Sequence, residues 1–300
     1  MARILMLTDR PQTDDRIVSR TVELADRLEA EEVSFVVTHP VDGFIATGCS
    51  FGVPDAGLIS PCSSSLCALS PDRDEVAMAI SFLSRCRQDA AFHGLTCETA
   101  RSAASLRRTA AMLAGVVGLM VVSRESLLDG DPTHESLRML WLNVKRPWLI
   151  CPTDSESWKR VIVATRNDAQ RNELIAWGRH WSERFDVPLA LIALGTPPPR
   201  SLWSTVRCWL RWHSRQHREA VRQSLFSCGP GPGDLLLVDR EPSTWPRQTH
   251  VYEATLDDLI AVAPCSVGVA PTTTDVITCE LLFPHGLSHA DEPIPEIVAA

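Results

Sequence analysis

Two textures alternate along this chain. Short continuous apolar runs, such as Ile4-Leu5-Met6-Leu7, Val33-Ser34-Phe35-Val36-Val37 and Leu235-Leu236-Leu237-Val238, read as strands covered on both faces. Between them lie stretches whose apolar residues recur every three or four positions, as in Ile17, Val18, Val22, Leu24, Ala25 and Leu28, the mark of a helix with one buried face. The pattern predicts strand 3–9, helix 13–31, strand 33–38, helix 72–92, strand 95–99, helix 102–113, strand 116–122, helix 133–144 and strand 147–151. It then begins again, with strand 161–165, helix 169–185, strand 189–193, helix 199–226 and strand 234–239. A last helix leads to an apolar strand flanked by Pro264 and Pro271.

A strand, a helix and a strand of these lengths make a right-handed parallel crossover. A programme run twice implies two units that each bury a parallel sheet. The expected fold class is therefore α/β, with two doubly wound, mostly parallel, Rossmann-like domains in tandem. Domain 1 covers 1–152 with five strands, and 153–158 link it to a shorter domain 2 over 158–271 with about four. No counterpart of 95–113 fits between 193 and 234. Residues 272–300 read as a tail, in which Ile277–Phe283 has the composition of an edge strand. Residues 40–71, rich in Gly, Ser, Pro and Cys, read as a long loop, either a lid or partner surface or simply disordered.

At 300 residues and 45% hydrophobic content, the chain suffices for two cores of roughly 150 residues each. A net charge of −8 repels phosphate backbones, so nucleic acid is not an expected partner. No charged start precedes an apolar core of signal-peptide type, which makes a cytoplasmic location the expectation. The apolar stretch Ala110–Val122 is shorter than the roughly 20 residues of a membrane span, and no membrane partner is expected.

Ten cysteines contain no Cys-x-x-Cys, and Cys62 and Cys67 lack a second pair of metal-ligand spacing. Cys151 and Cys265 lie in apolar strands, as small buried hydrophobes do. His213 and His217 stand four apart, but Arg211, Arg215 and Arg218 surround them, so a solvated helix face is the reading and no metal ligand is expected. Neither Gly-x-Ser-x-Gly nor Gly-x-x-x-x-Gly-Lys occurs, and no catalytic residue is named. Trp203, Trp209, Arg211, Trp212 and Arg215 in the predicted helix 199–226 make a mixture common at interfaces, a surface for a protein partner or self-association, unless they pack over the sheet.

The opening strand ending in Thr8-Asp9, the long helix after it and the closing run Leu256-Asp257-Asp258-Leu259-Ile260-Ala261-Val262-Ala263-Pro264-Cys265-Ser266-Val267-Gly268-Val269-Ala270-Pro271 resemble the universal stress protein family in tandem form. The resemblance covers about 3–152 and 158–271. It implies a stress-response or regulatory role and, in the branch of the family that binds ATP, a loop of pattern Gly-x2-Gly-x9-Gly-Ser/Thr after the fourth strand.

Glycines there let backbone N–H groups approach the phosphates. Here the segment reads Ser123-Arg124-Glu125-Ser126-Leu127-Leu128-Asp129-Gly130-Asp131-Pro132, and its counterpart Asp239-Arg240-Glu241-Pro242-Ser243-Thr244-Trp245-Pro246 has no glycine. The expectation is a non-enzymatic protein without a cofactor that does not bind ATP in the family's usual way. The alternative is ATP or AMP in domain 1, held by Asp9, Thr8, Thr38, His39 and Ser123, with Asp9 directed toward the adenosine moiety. Asp9 serves equally as a cap for the following helix. In domain 2 its place is taken by Arg166. A further alternative is an enzyme on a Rossmann-like sheet. The resemblance also implies that the closing strands, 147–151 and 265–270, pair with each other in an intramolecular pseudo-dimer.

Overall fold

The structure, a computed structural model, describes residues 3–38, 58–59, 73–102, 104–128, 144, 146–165, 168–193, 230–238, 256, 260–261 and 263–270. Outside them fall His39, nearly all of 40–71 and of the helix predicted at 133–144, the segment 199–226 with Trp203, Trp209, Arg211, Trp212 and Arg215, and the tail 272–300.

The described chain runs β1 (Arg3–Thr8), α1 (Asp15–Arg27), β2 (Glu32–Thr38), β3 (Leu58–Ile59), α2 (Arg73–Phe92), β4 (Thr96–Ser102), α3 (Leu106–Leu113), β5 (Leu119–Ser123), α4 (Arg124–Leu128) and β6 (Trp148–Cys151). A second run follows: β7 (Arg160–Thr165), α5 (Asp168–Phe185), β8 (Leu189–Ala193), β9 (Asp234–Val238) and β10 (Ser266–Val269). All ten strands share one sheet, in the order β3-β4-β2-β1-β5-β6-β10-β9-β7-β8. Its pairings are parallel except at β3–β4 and β6–β10.

Two differences from the sequence pattern have plain causes. Leu58 and Ile59 form a short strand antiparallel to β4, where a loop was expected; such an addition covers an otherwise open edge. The region predicted as strand 95–99 extends to Ser102, because every residue of β4 pairs with β2 in register from Glu32↔Thr96 to Thr38↔Ser102. Polar Arg101 and Ser102 hid this extension from an apolar count.

Period-two alternation sends each strand's side chains to opposite faces, and the two faces carry two cores. Ile4, Met6, Phe35, Val121, Leu149, Val163 and Leu237 join Ile17, Val22 and Leu24 of α1, Phe82 and Cys86 of α2, and Trp177 and Trp181 of α5. On the other face, Leu5, Leu7, Val122, Ile150, Leu236 and Val267 meet Leu106 and Leu113 of α3, Leu127 of α4, and the helical residues Leu256 and Ile260. Each core runs without interruption across both halves. Helix α5 approaches the sheet so closely at Gly178 that a methyl group there would stand 2.4 Å from Cγ2 of Val163.

The halves meet at β6 and β10, with Val267↔Ile150, Gly268↔Leu149 and Val269↔Trp148 in antiparallel register. This inversion puts the end of β6 and the start of β7 at the same end of the sheet. Residues 152–159 therefore need to cross only β10 and β9, about 14 Å at the usual strand spacing. Trp158 of this link is buried, stacks on Trp181 with ring centroids 5.5 Å apart and donates from Nε1 to Ser266 Oγ at 3.3 Å. Across the same junction, Arg184 of α5 is paired with Glu29 at the end of α1, and Arg20 of α1 donates to Ser157 Oγ at 2.8 Å.

Candidate functional site

In the first half the chain steps outward from β1 to β2 and β4, then returns to β5 on the other side of β1. The crevice of a doubly wound sheet opens at such a reversal, beyond the carboxyl ends of the strands. Here Thr8 and Asp9 close β1, Thr38 closes β2 and Ser123 closes β5. Four of the five residues expected to bind a ligand thus stand at one edge, and His39 lies outside the described residues. In the second half, the equivalent reversal falls between β7 and β9.

At the centre of the first edge is a residue the sequence pattern does not single out. Asp14 immediately precedes α1 and is wholly buried. Its Oδ2 accepts from Thr8 Oγ1 at 2.6 Å, and its carboxyl is also hydrogen-bonded by the Ser123 side chain. Thr8 Oγ1 in turn accepts from the backbone N–H of Arg10 at 2.8 Å, and Thr38 Oγ1 donates to the carbonyl of Thr8 at 3.3 Å. Burial pushes the Asp14 carboxyl up to about 6; the two hydroxyls work against that rise, while Asp9 and Glu125 add to it. The loss of hydration outweighs two hydroxyl donors, as expected where a charge is fully enclosed.

Asp9 does not cap α1, which begins at Asp15 with Asp14 before it. The Oδ1 atom of Asp9 is buried and makes no hydrogen bond among the described residues; Nε of Arg10 is 3.9 Å away.

The segment expected to form a loop after β5 is instead a helical turn. α4 starts directly at Arg124, and Ser123 Oγ accepts the N–H of Ser126 at 3.0 Å, a helix N-cap contact. Two side chains of this turn are engaged beyond the first half's strands. Arg124 donates to the carbonyl of Ala263 in the second half, and Glu125 accepts the N–H of Thr153 at the head of the link at 3.2 Å. Serine followed two residues later by an acid was the signal for this turn, although the tertiary contacts of Arg124 and Glu125 have none in the sequence.

A groove of about 590 Å³ lies apart from the β1/β5 crevice, between α1 and the link, lined by Arg16, Arg20, Glu23, Glu156 and Lys159 among others. Its charges are largely satisfied internally, since Arg20 is held by Glu23 and Ser157, and Lys159 by Glu156 at 2.9 Å. Among the described residues no group of three or more His, Cys, Asp and Glu is placed to hold a metal ion. Nor is any described helix long and apolar enough to cross a membrane. Cys86, Cys151 and Cys265 are buried free thiols, and Cys97 is a partly buried one.

No protein-family model matches this chain, and no curated protein is similar enough in sequence to be matched to it. Solved structures are similar in three dimensions. A universal stress protein from Archaeoglobus fulgidus superposes with a TM-score of 0.56 at 11% identity, over 90% of this chain and 96% of its own. A putative universal stress protein from Pseudomonas aeruginosa gives 0.51 at 12% identity, over 90% and 93%. A functionally unknown protein from Pseudomonas aeruginosa gives 0.51 at 12%, over 94% of each. Likeness at this level of identity speaks for architecture. With its outward-and-back strand order and its helices on both faces, the chain has the fold of the universal stress proteins.

Proposed function

We propose that this chain is a non-enzymatic stress-response or regulatory protein of the universal stress protein type, whose first half does not hold ATP in the way usual for that family. The observation that carries this reading is the fate of the segment after β5. Where a phosphate-binding loop would wrap a ligand, Ser123 starts a helical turn whose Arg124 and Glu125 are spent on Ala263 and Thr153. Asp9, Asp14 and Glu125 make the crevice acidic, so a triphosphate meets like charge where it would need donors. Asp14, whose carboxyl burial pushes up to about 6, is enclosed too completely to touch a substrate.

The tandem arrangement belongs to the same proposal, with the halves as an intramolecular pseudo-dimer. Antiparallel pairing of the two closing strands supports it, as does the placement of the corresponding helices α1 and α5 on one face of the sheet. A two-fold axis normal to the sheet, between β6 and β10, produces both features. Association with a partner through Trp203, Trp209, Arg211, Trp212 and Arg215 is part of the proposal too.

A second reading, ATP or AMP bound through Asp9, is favoured by one observation: a buried carboxylate oxygen without a hydrogen bond at the strand end where a ligand would arrive. Titration calorimetry with ATP, AMP and adenosine separates the two. The expected result is no ATP binding tighter than about 1 mM, equivalent to roughly 4 kcal/mol. Micromolar binding of ATP that disappears in Asp9→Ala would replace the first reading with the second.

A further inference from the structure

We propose that Asp14 is a proton-operated latch that couples the carboxyl edge of the first half to the junction between the halves. The geometry is a continuous path. Asp14, ahead of α1, holds the hydroxyls of Thr8 at the end of β1 and Ser123 at the end of β5. Ser123 seats α4 through the N–H of Ser126, and α4 reaches the second half through Arg124 to Ala263 and the link through Glu125 to Thr153. One carboxyl therefore stands between two strand ends, two helix starts and both inter-half contacts of α4.

Each hydroxyl has a single proton. Thr8 Oγ1 and Ser123 Oγ already accept backbone N–H groups, so their protons are directed to Asp14. Among the described residues, no cation is a cause of the shift in this carboxyl. The charged groups that face it are Asp9 from β1 and Glu125 from α4, both acidic, and the thiol of Cys151 on β6, which burial pushes up to about 12. Arg20 of α1 is engaged with Glu23 and Ser157. The closed arrangement consequently favours the protonated carboxyl, as its rise from 3.8 to about 6 records.

A conformation in which Asp14 meets water returns it to its ordinary range, so the linkage sets the sign. The latch is most firmly closed in acid, and its opening grows more favourable as pH rises from about 3.8 to about 6, above which it levels off. The greatest possible change in the open-to-closed ratio is about 100-fold, two pKa units at a factor of ten each. This holds whether or not the crevice takes a ligand.

The test is amide hydrogen exchange of the full chain between pH 4 and 8, expressed as protection after correction for the intrinsic dependence of exchange on pH. Protection of Ser126 and its neighbours in α4 is expected to fall by between 10- and 100-fold across pH 4–7, while the central amides of β1 and β5 hold. In Asp14→Asn the step should be absent. A second measurement needs no variant: the 13C-observed titration of the Asp14 carboxyl should have its midpoint at the pH where the fall in protection at Ser126 levels off. Protection of α4 that is independent of pH, a step that persists in Asp14→Asn, or a carboxyl midpoint away from the pH at which the fall levels off would each overturn the proposal.

Discussion

A single enclosed carboxyl gives this molecule its most direct dependence on pH. Unfolded, Asp14 titrates near 3.8, and folded, near 6. Below both values each state is protonated and the group is neutral to stability. Between them the unfolded chain has released its proton while the folded one keeps it, so stability falls as pH rises, and above 6 the whole cost is present. Two units correspond to about 3 kcal/mol. Denaturant titrations at pH 4 and pH 8 should therefore show the wild type losing stability relative to Asp14→Asn by an amount of that order. A difference of the opposite sign would show that the hydroxyls of Thr8 and Ser123 stabilise the carboxylate more than burial penalises it. Sequence reading started the helix at residue 13 and so took Asp14 into its first turn, whereas α1 begins at Asp15. The burial of Asp14 was hidden, since Ser123 is remote in sequence and nothing local marks the contact.

The helices were easier to foresee than their ends. α1 and α5 stop by the same device: one residue in the left-handed region, Glu29 with φ 53° and Asp186 with φ 52°, and a backbone bond from the next N–H back to the last turn, Ala30 to Ala25 and Val187 to Ser182. α2 does this with Gly94, at φ 71° and with Leu95 bonded to Ala90. Glycine is free of the steric cost that a Cβ incurs there, about 1 kcal/mol. Asp186→Gly is therefore expected to stabilise the protein by up to that amount, read as a rise in the denaturation midpoint with an unchanged slope. Glu29 is a less clean test, because its carboxylate is also paired with Arg184. α4 was missed altogether. Absent glycines say only what this segment is not, whereas the residues present, a serine and an acid in the first turn, describe a capped helix.

Across the whole molecule, the one antiparallel seam in the middle of the sheet decides the assembly. Trp148, Leu149, Ile150 and Cys151 are all buried against their neighbours, and β10 covers the edge they would otherwise expose. Residues 1–157 expressed alone should consequently pair through this uncovered edge and run at twice their formula mass in light scattering; a stable monomer would show that the edge is harmless. The mostly parallel α/β class was readable from the recurrence of apolar runs, since these follow from burial on both faces, whereas one continuous sheet with two shared cores stands where two units with a core each were expected. The position of β3 and the end of β4 over Ala100–Ser102 were not readable, because pairing with a neighbour fixed them and their own hydrophobicity did not.

The inverted seam also brings the start of β1 and the end of β10 to one end of the sheet. Val269 lies level with Trp148, Trp148 with Met120, and Met120 with Leu5. Only β5 and β6 separate the two points, a distance of about 14 Å that matches the span of residues 152–159 at the opposite end. The order of the halves along the chain is thus a matter of connectivity alone. A circular permutant opened within 152–159, with the end of β10 joined to the start of β1 by a link of similar length, would thread the same sheet in the reverse order of halves.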